Sequence, residues 1–270
     1  MVKTAGNTIL ITGGSSGIGL ELARQLAKDN VVIITGRDRT KLAAAKAELG
    51  NVHIAQSDAN DPRAIVTLYE TLTREFPALN VLVNNAGIMR KISLRDGADD
   101  LAGVVREIET NLSGPIRMVA QFLPHLRKQK SPAIVNVSSG LAFVPFPLSP
   151  VYSAAKAGIH AFTQALRVQL KETNVKVFEL APPGTETPLF RGEFDEQDLG
   201  SATGMDVRKL AALAISGMKN DVLEIRPGLS NALKFLSRLA PSFALNLVGR
   251  TAQTSLDRIA RKSATAKGLV

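Results

Sequence analysis

The stretch Thr8-Ile9-Leu10-Ile11-Thr12-Gly13-Gly14-Ser15-Ser16-Gly17-Ile18-Gly19 constrains this chain more than any other. Its first five residues are apolar or β-branched and read as a buried strand, and the glycines that follow let the backbone turn sharply into a helix near Ile18. A helix that begins at such a turn aims its unpaired N–H groups beyond the strand end. Glycines at 13, 17 and 19 remove the Cβ atoms that would hold a diphosphate away, so Gly13, Ser15, Ser16, Gly17, Ile18 and Gly19 are candidate contacts for a dinucleotide. The spacing is Gly-x-x-x-Gly-x-Gly, and in isolation it would also suit a tight connection with no ligand.

The rest of the chain alternates strand and helix around that turn. A helix over 18–28 precedes the apolar run Val31-Val32-Ile33-Ile34-Thr35, which is suited to a parallel strand covered on both faces. A helix over 40–49 stops at Gly50, a third strand covers 52–56, and Asp61-Pro62 opens a helix reaching about Phe76. A fourth strand at 81–83 ends in Asn84-Asn85-Ala86-Gly87. A helical region over 99–128, interrupted at Gly114-Pro115, leads to a fifth strand at 133–137. The helix over 152–170 carries small residues on one side, and strands follow at 175–180 and 222–225. The alternation predicts an α/β single-domain, doubly wound parallel sheet, the Rossmann fold, over residues 1–228. Residues 187–217 lack a strong period and predict a mobile substrate flap.

From 229 to 270 the sequence predicts a basic amphipathic C-terminal extension and tail. Leu229, Ala232, Leu233, Leu236, Leu239 and Ala240 line one helical face, with Lys234 and Arg238 opposite, until Pro241 interrupts. A second amphipathic piece runs over 243–248, and a polar tail follows. That apolar face needs a partner, and three fit: the chain's own flap, the interface of a homodimer or homotetramer, or an anionic membrane surface.

The net charge of +9 is concentrated at this end, where eight Lys or Arg from 225 to 270 face Asp257 alone. With two tyrosines and no tryptophan to stack bases, nucleic acid is not an expected partner. No cysteine is present, which removes disulfides, thiolate nucleophiles and sulfur-ligated metals. His53, His125 and His160 lack ligand spacing, so each is expected to be an ordinary surface or packing residue and no metal site is expected. An apolar signal region is not seen before the first strand, which suits a cytoplasmic enzyme.

Six features together resemble the classical short-chain dehydrogenase/reductase family over about residues 7–190: Thr12-Gly13-x-x-x-Gly17-x-Gly19, Asp58, Asn84-Asn85-Ala86-Gly87, Asn111, Ser139, and Tyr152-x-x-x-Lys156. Their order, with Ser139 thirteen residues before Tyr152, makes the resemblance specific. Leu223-Glu224-Ile225-Arg226-Pro227-Gly228 is similar to the DltE-like branch of that family. After strand six the family usually has Pro-Gly-x-x-x-Thr, whereas Pro182-Pro183-Gly184-Thr185-Glu186-Thr187 puts a proline where the glycine belongs.

The resemblance implies an oxidoreductase moving hydride between a nicotinamide cofactor and a small carbonyl or secondary alcohol. Tyr152 would serve as general acid or base, which needs a pKa brought down from about 10 toward working pH. Lys156, four residues later on the same helix face, favours the phenolate by its charge and by resemblance also binds the ribose hydroxyls. Ser139 would donate a hydrogen bond to the substrate oxygen, and Asn111 would hold a water that extends the proton path. The resemblance places Asp58 on the adenine, Asn85, Ala86 and Gly87 beside its ribose, and Thr187 on the carboxamide. NADP(H) rather than NAD(H) is expected, because strand two ends in Gly36-Arg37 with no acidic residue at 36, and Ser15 and Ser16 lie close by. The alternative is a dinucleotide-binding sensor or scaffold without turnover, which the complete set Asn111, Ser139, Tyr152 and Lys156 disfavours.

Overall fold

The computed structural model describes residues 5–95, 100–195, 198 and 203–266. Its centre is a sheet of seven parallel strands in the order β3-β2-β1-β4-β5-β6-β7. The strands are β1 (Thr8–Thr12), β2 (Val31–Gly36), β3 (His53–Gln56), β4 (Leu79–Asn84), β5 (Ala133–Val137), β6 (Lys176–Leu180) and β7 (Glu224–Ile225). The chain winds outward from β1 to β3 and then restarts on the other side at β4. This reversal opens a crevice at the carboxyl ends of β1 and β4.

Side chains alternate between the two faces of each strand, and both faces are covered. Ile9, Ile11, Val32, Ile34, Val83 and Val135 pack beneath α1 (Gly17–Leu26), α2 (Arg39–Leu49) and α8 (Val207–Lys219). Leu10, Ile33, Leu82, Ile134 and Val177 meet α3 (Pro62–Glu75), α5 (Gly114–Leu126) and α6 (Pro150–Gln169) on the opposite side. Each such Leu, Ile or Val contributes about 1.5–3 kcal/mol by leaving water, so the two layers hold the sheet and its crevice rigid.

The helical region expected over 99–128 begins only at Arg106, residues 101–105 forming turns and residue 99 lying outside the described residues. Helix α4 (Arg106–Ile108) passes through a π-helical turn (Glu109–Ser113) directly into α5. Gly114-Pro115 does not interrupt it. Gly114 permits contact with the Ala59 carbonyl, which an added Cβ would approach to 2.8 Å. Pro115 lies in the first turn of α5, just after the widened π turn, where its missing N–H is tolerated.

The flap expected over 187–217 is only partly irregular. After α7 (Pro188–Arg191), helix α8 begins at Val207, and its Leu210, Ala211, Ala214 and Met218 are core residues. Alanine-rich packing hides the helical period in the sequence. Residues 196, 197 and 199–202 of that stretch lie outside the described residues.

Helices α9 (Leu229–Leu239) and α10 (Pro241–Ala266) complete the order, so the segment expected to be a polar tail is helical to 266, with 267–270 outside the described residues. Ala252 on α10 joins Phe146, Leu148 and Phe194 in a small apolar cluster. Arg258 bonds Asp195 at 3.1 Å and Asp198 at 2.8 Å, and Arg95 bonds Asp257 at 2.6 Å. The inner side of α10 thus docks on the chain's own loops. Helix α9 is turned otherwise than its apolar stripe suggests. Lys234 is 6% exposed and paired with Glu224, while Leu229 and Leu239 face outward. The pairing outweighs the stripe because Glu224, near the carboxyl end of the sheet, would otherwise be a half-buried charge without a nearby ammonium. No helix among the described residues is long and apolar enough to cross a membrane.

Candidate active site

Gly13 and Gly17 hold left-handed φ values of +65° and +54°, which is why residues with a Cβ are excluded there. A Cβ on Gly13 would come within 2.8 Å of Ala86 Cα, so the turn lies directly against the end of β4. The Thr12 hydroxyl accepts from the Asn85 and Ala86 amides, both at 3.0 Å. The Asn85 side chain returns bonds to the Thr12 and Gly13 carbonyls at 2.9 and 3.1 Å. Asn85 and Thr12 thereby staple the two strand ends. Ser16 stands at the N-cap of α1 without a side-chain cap bond, leaving first-turn N–H groups for an anion.

A cleft of about 360 Å³ runs along the carboxyl edge of the sheet. Gly13, Ser15, Ser16, Gly17 and Ile18 line one part, Arg37 and Asp58 another, Asn85, Ala86 and Gly87 its floor, and Tyr152, Lys156 and Thr187 its far part. Three expected residues stand behind the lining. Gly19 is packed where an added Cβ would meet Asn85 Nδ2 at 2.4 Å. Asn111 accepts from the Ile88 N–H at 2.9 Å and donates to the Ile88 carbonyl at 2.8 Å, spending both side-chain atoms on one residue. Ser139 caps the turn after β5 by accepting from Leu141 N–H at 3.1 Å, while Ser138 lines the cleft. Thr187 caps α7, accepting from Phe190 N–H at 3.3 Å, and its side chain lies against Gly17. Asp58 accepts from Asn60 N–H at 2.9 Å, which fixes its loop.

Sequence reading missed Lys41, which lines the cleft with Arg37. The signal was there: Asp38 caps α2 by accepting from Lys41 N–H at 3.0 Å, so the helix start puts Lys41 beside the end of β2. The carboxylates that could have neutralised Arg37 are engaged elsewhere, Asp38 on that cap and Glu48 on Arg24. Arg37 has no ion pair among the described residues.

Tyr152 and Lys156 are 7% and 4% exposed, with the lysine nitrogen 5.6 Å from the centre of the phenol ring. Burial pushes the Tyr152 phenol up to about 12, and a hydrogen bond with Ser139 pulls the other way. The direction is opposite to the expected fall, because desolvating the phenolate outweighs that bond. Burial also pulls Lys156 down to about 8, while its ammonium donates to the Val137 carbonyl at 2.8 Å.

His160 is not an isolated packing residue. Its Nδ1 lies 2.8 Å from the fully buried Glu179 carboxylate, to which Ser138 donates at 2.5 Å. Glu224 approaches the same pair, all three donor atoms lying within 4.8 Å, and Lys234 and Arg226 engage Glu224. A glutamate inside the otherwise apolar run Val177-Phe178-Glu179-Leu180 was the available signal.

A doubly wound sheet with a glycine turn at its switch point is the arrangement of a dinucleotide-binding α/β protein. Residues 7–198 match the profile described as short chain dehydrogenase, and the chain belongs to that family, whose members act on CH–OH or C=O groups. It is 45% identical over 225 residues to the uncharacterized oxidoreductase DltE of Bacillus subtilis (strain 168), covering 83% of this chain and 89% of that one. Its fold is similar to that of a short chain dehydrogenase from Burkholderia cenocepacia J2315 in complex with NADP, with a TM-score of 0.78 at 21% identity, covering 91% of this chain and 98% of that one. A short chain dehydrogenase/reductase from Burkholderia phymatum in complex with NAD is similar too, with a TM-score of 0.78 at 20% identity over 87% and 94% of the respective chains.

Proposed function

We propose that this chain is an NADP(H)-preferring oxidoreductase that reduces a small carbonyl compound or oxidises the matching secondary alcohol, with Tyr152 exchanging a proton with the substrate oxygen. One observation carries the reading: Tyr152 and Lys156, bonded respectively with Ser139 and the Val137 carbonyl, line the same cleft as the glycine turn. A bound nicotinamide dinucleotide would supply the hydride. The donor set fits it, with open N–H groups at the start of α1 for a diphosphate and small residues along the floor. Asp58 would hold the adenine, Asn85, Ala86 and Gly87 its ribose, Lys156 the other ribose, and Thr187 the carboxamide.

A phenol raised to about 12 is protonated at neutral pH, which is the form that gives a proton to a carbonyl oxygen. Lys156, at about 8, is mostly charged there and favours the phenolate that remains. Ser139 steadies the substrate oxygen. Because Asn111 spends its side chain on Ile88, holding a water falls to its main chain, which the π-helical turn opens. Residues 187–195, held through Asp195 by Arg258 of α10, would close the substrate side. Small exposed residues on α6, Ala154, Ala157 and Ala161, support that helix as the meeting surface of a homo-oligomer.

The preference for NADP(H) rests on Arg37 and Lys41 beside Ser15, with Gly36 offering no carboxylate to repel a 2′-phosphate. Following nicotinamide absorbance with NADPH and NADH over a panel of carbonyl compounds tests both parts. Turnover favouring NADPH, with the preference cut by about tenfold or more in Arg37→Ala, is expected. A wild-type preference for NADH would overturn the cofactor assignment, and no turnover with either would overturn the reaction.

A further inference from the structure

The outward side of α9 and of the first turns of α10 has no role in the cleft and no cover from the rest of the described chain. Leu229, Phe235 and Leu239 are 62%, 66% and 68% exposed, and Phe243 and Leu247 are 60% and 52% exposed. On α9, Phe235 and Leu239 are four apart and Leu229 stands at the edge of the same side, opposite buried Ser230 and Lys234. On α10, Phe243 and Leu247 are four apart and exposed, while Ala244 and Ala252 are buried. The helices' inner sides are already occupied, by Glu224 and Gly140 under α9 and by Phe146 and Phe194 under α10.

Charge decides what covers this side. From Ile225 to Leu256 the sequence holds Arg226, Lys234, Arg238 and Arg250 and no acidic residue. Arg238 and Arg250 are exposed and make no ion pair among the described residues. A second copy seated on the same face would set these cations against their own duplicates with no carboxylate between them. A bilayer surface carrying anionic headgroups offers both complements, acyl boundary for the phenylalanines and leucines and phosphate for the arginines. We propose that the outward face of α9 and the start of α10 docks the protein onto an anionic membrane surface, lying in the interface without spanning it.

Full-length protein sedimented with vesicles tests this, using phosphatidylcholine alone and an equimolar mixture with phosphatidylglycerol. The protein is expected to pellet with the mixed vesicles and to remain in solution with the neutral ones. Raising salt to about 1 M should weaken the binding. Phe235→Ser with Phe243→Ser, and separately Arg238→Glu, should each reduce vesicle partition by about tenfold or more while nicotinamide-dependent activity and far-ultraviolet dichroism stay unchanged. Wild-type protein that ignores both vesicle types overturns the proposal, as does binding that survives both variants. So does a wild-type dimer that the Phe235→Ser, Phe243→Ser protein converts to monomer, which would assign the face to a second copy. If a variant fails to fold, the wild-type comparison of the two vesicles at low and high salt decides alone.

Discussion

Replacing Lys156 by methionine separates what this side chain does for the chemistry from what it costs the fold. Lys156 is 4% exposed, and burial takes its pKa from 10.5 to about 8. Near pH 7 the lysine is charged in both the folded and unfolded chain, so that displacement is a folding cost of about 3 kcal/mol. The bond from its ammonium to the Val137 carbonyl, 2.8 Å long, is lost in the variant and offsets about 1 kcal/mol of the gain. Lys156→Met is therefore expected to be about 2 kcal/mol more stable than the parent at neutral pH, and to have lost most of its turnover. The sign of the pH dependence follows. Between about 8 and 10.5 the unfolded chain binds more protons at this site than the folded one, so the parent gains stability as pH rises through that window. The variant has no such proton, and its advantage shrinks and reverses by about pH 10.5. Urea denaturation of both proteins at neutral pH and again about two units higher measures the difference. A parent more stable at neutral pH, or a difference independent of pH, would refute the reasoning.

Two other changes follow from the site. Tyr152→Phe keeps the buried ring and removes the proton, so steady-state turnover should fall by about a hundredfold or more, with cofactor affinity by fluorescence titration little changed. Arg258→Ala removes the ion pairs from α10 to Asp195 and Asp198 and leaves Ser255 bonded to Asp198, so the residues that run from the cleft-lining Pro188 and Leu189 to Asp195 loosen and KM in steady-state assays should rise by about tenfold, with kcat near that of the parent.

What could be read without coordinates was local or periodic. The apolar run of β1, its glycine turn and the Tyr152–Lys156 spacing each depend on residues within one or two elements. All of β1 is buried, as that run required. The doubly wound sheet followed because parallel strands joined by helices have few arrangements. The failures have two causes: a partner elsewhere in the fold overrode the local pattern, or the pattern itself was faint. Lys234 was expected on the water side of its helix and is drawn inward by Glu224, ten residues earlier. Helix α8 was hidden because its inward face is partly alanine, and alanine packs well without marking a strong period. Glu179 gave a signal as the one charge in the run 177–180, but its partners Ser138 and His160 come from β5's end and α6, and only the fold joins them.

Transfer of deuterium is the most direct test of the central claim that this cleft delivers hydride while Tyr152 handles the proton. Wild-type protein turning over a carbonyl compound with NADPH deuterated at the nicotinamide C4 should leave the label on the new carbinol carbon of the alcohol, detected by mass spectrometry. Tyr152→Phe should bind the same cofactor and transfer almost none. An alcohol whose new carbinol hydrogen is unlabelled and so comes from solvent, or full transfer by Tyr152→Phe, would contradict the assignment.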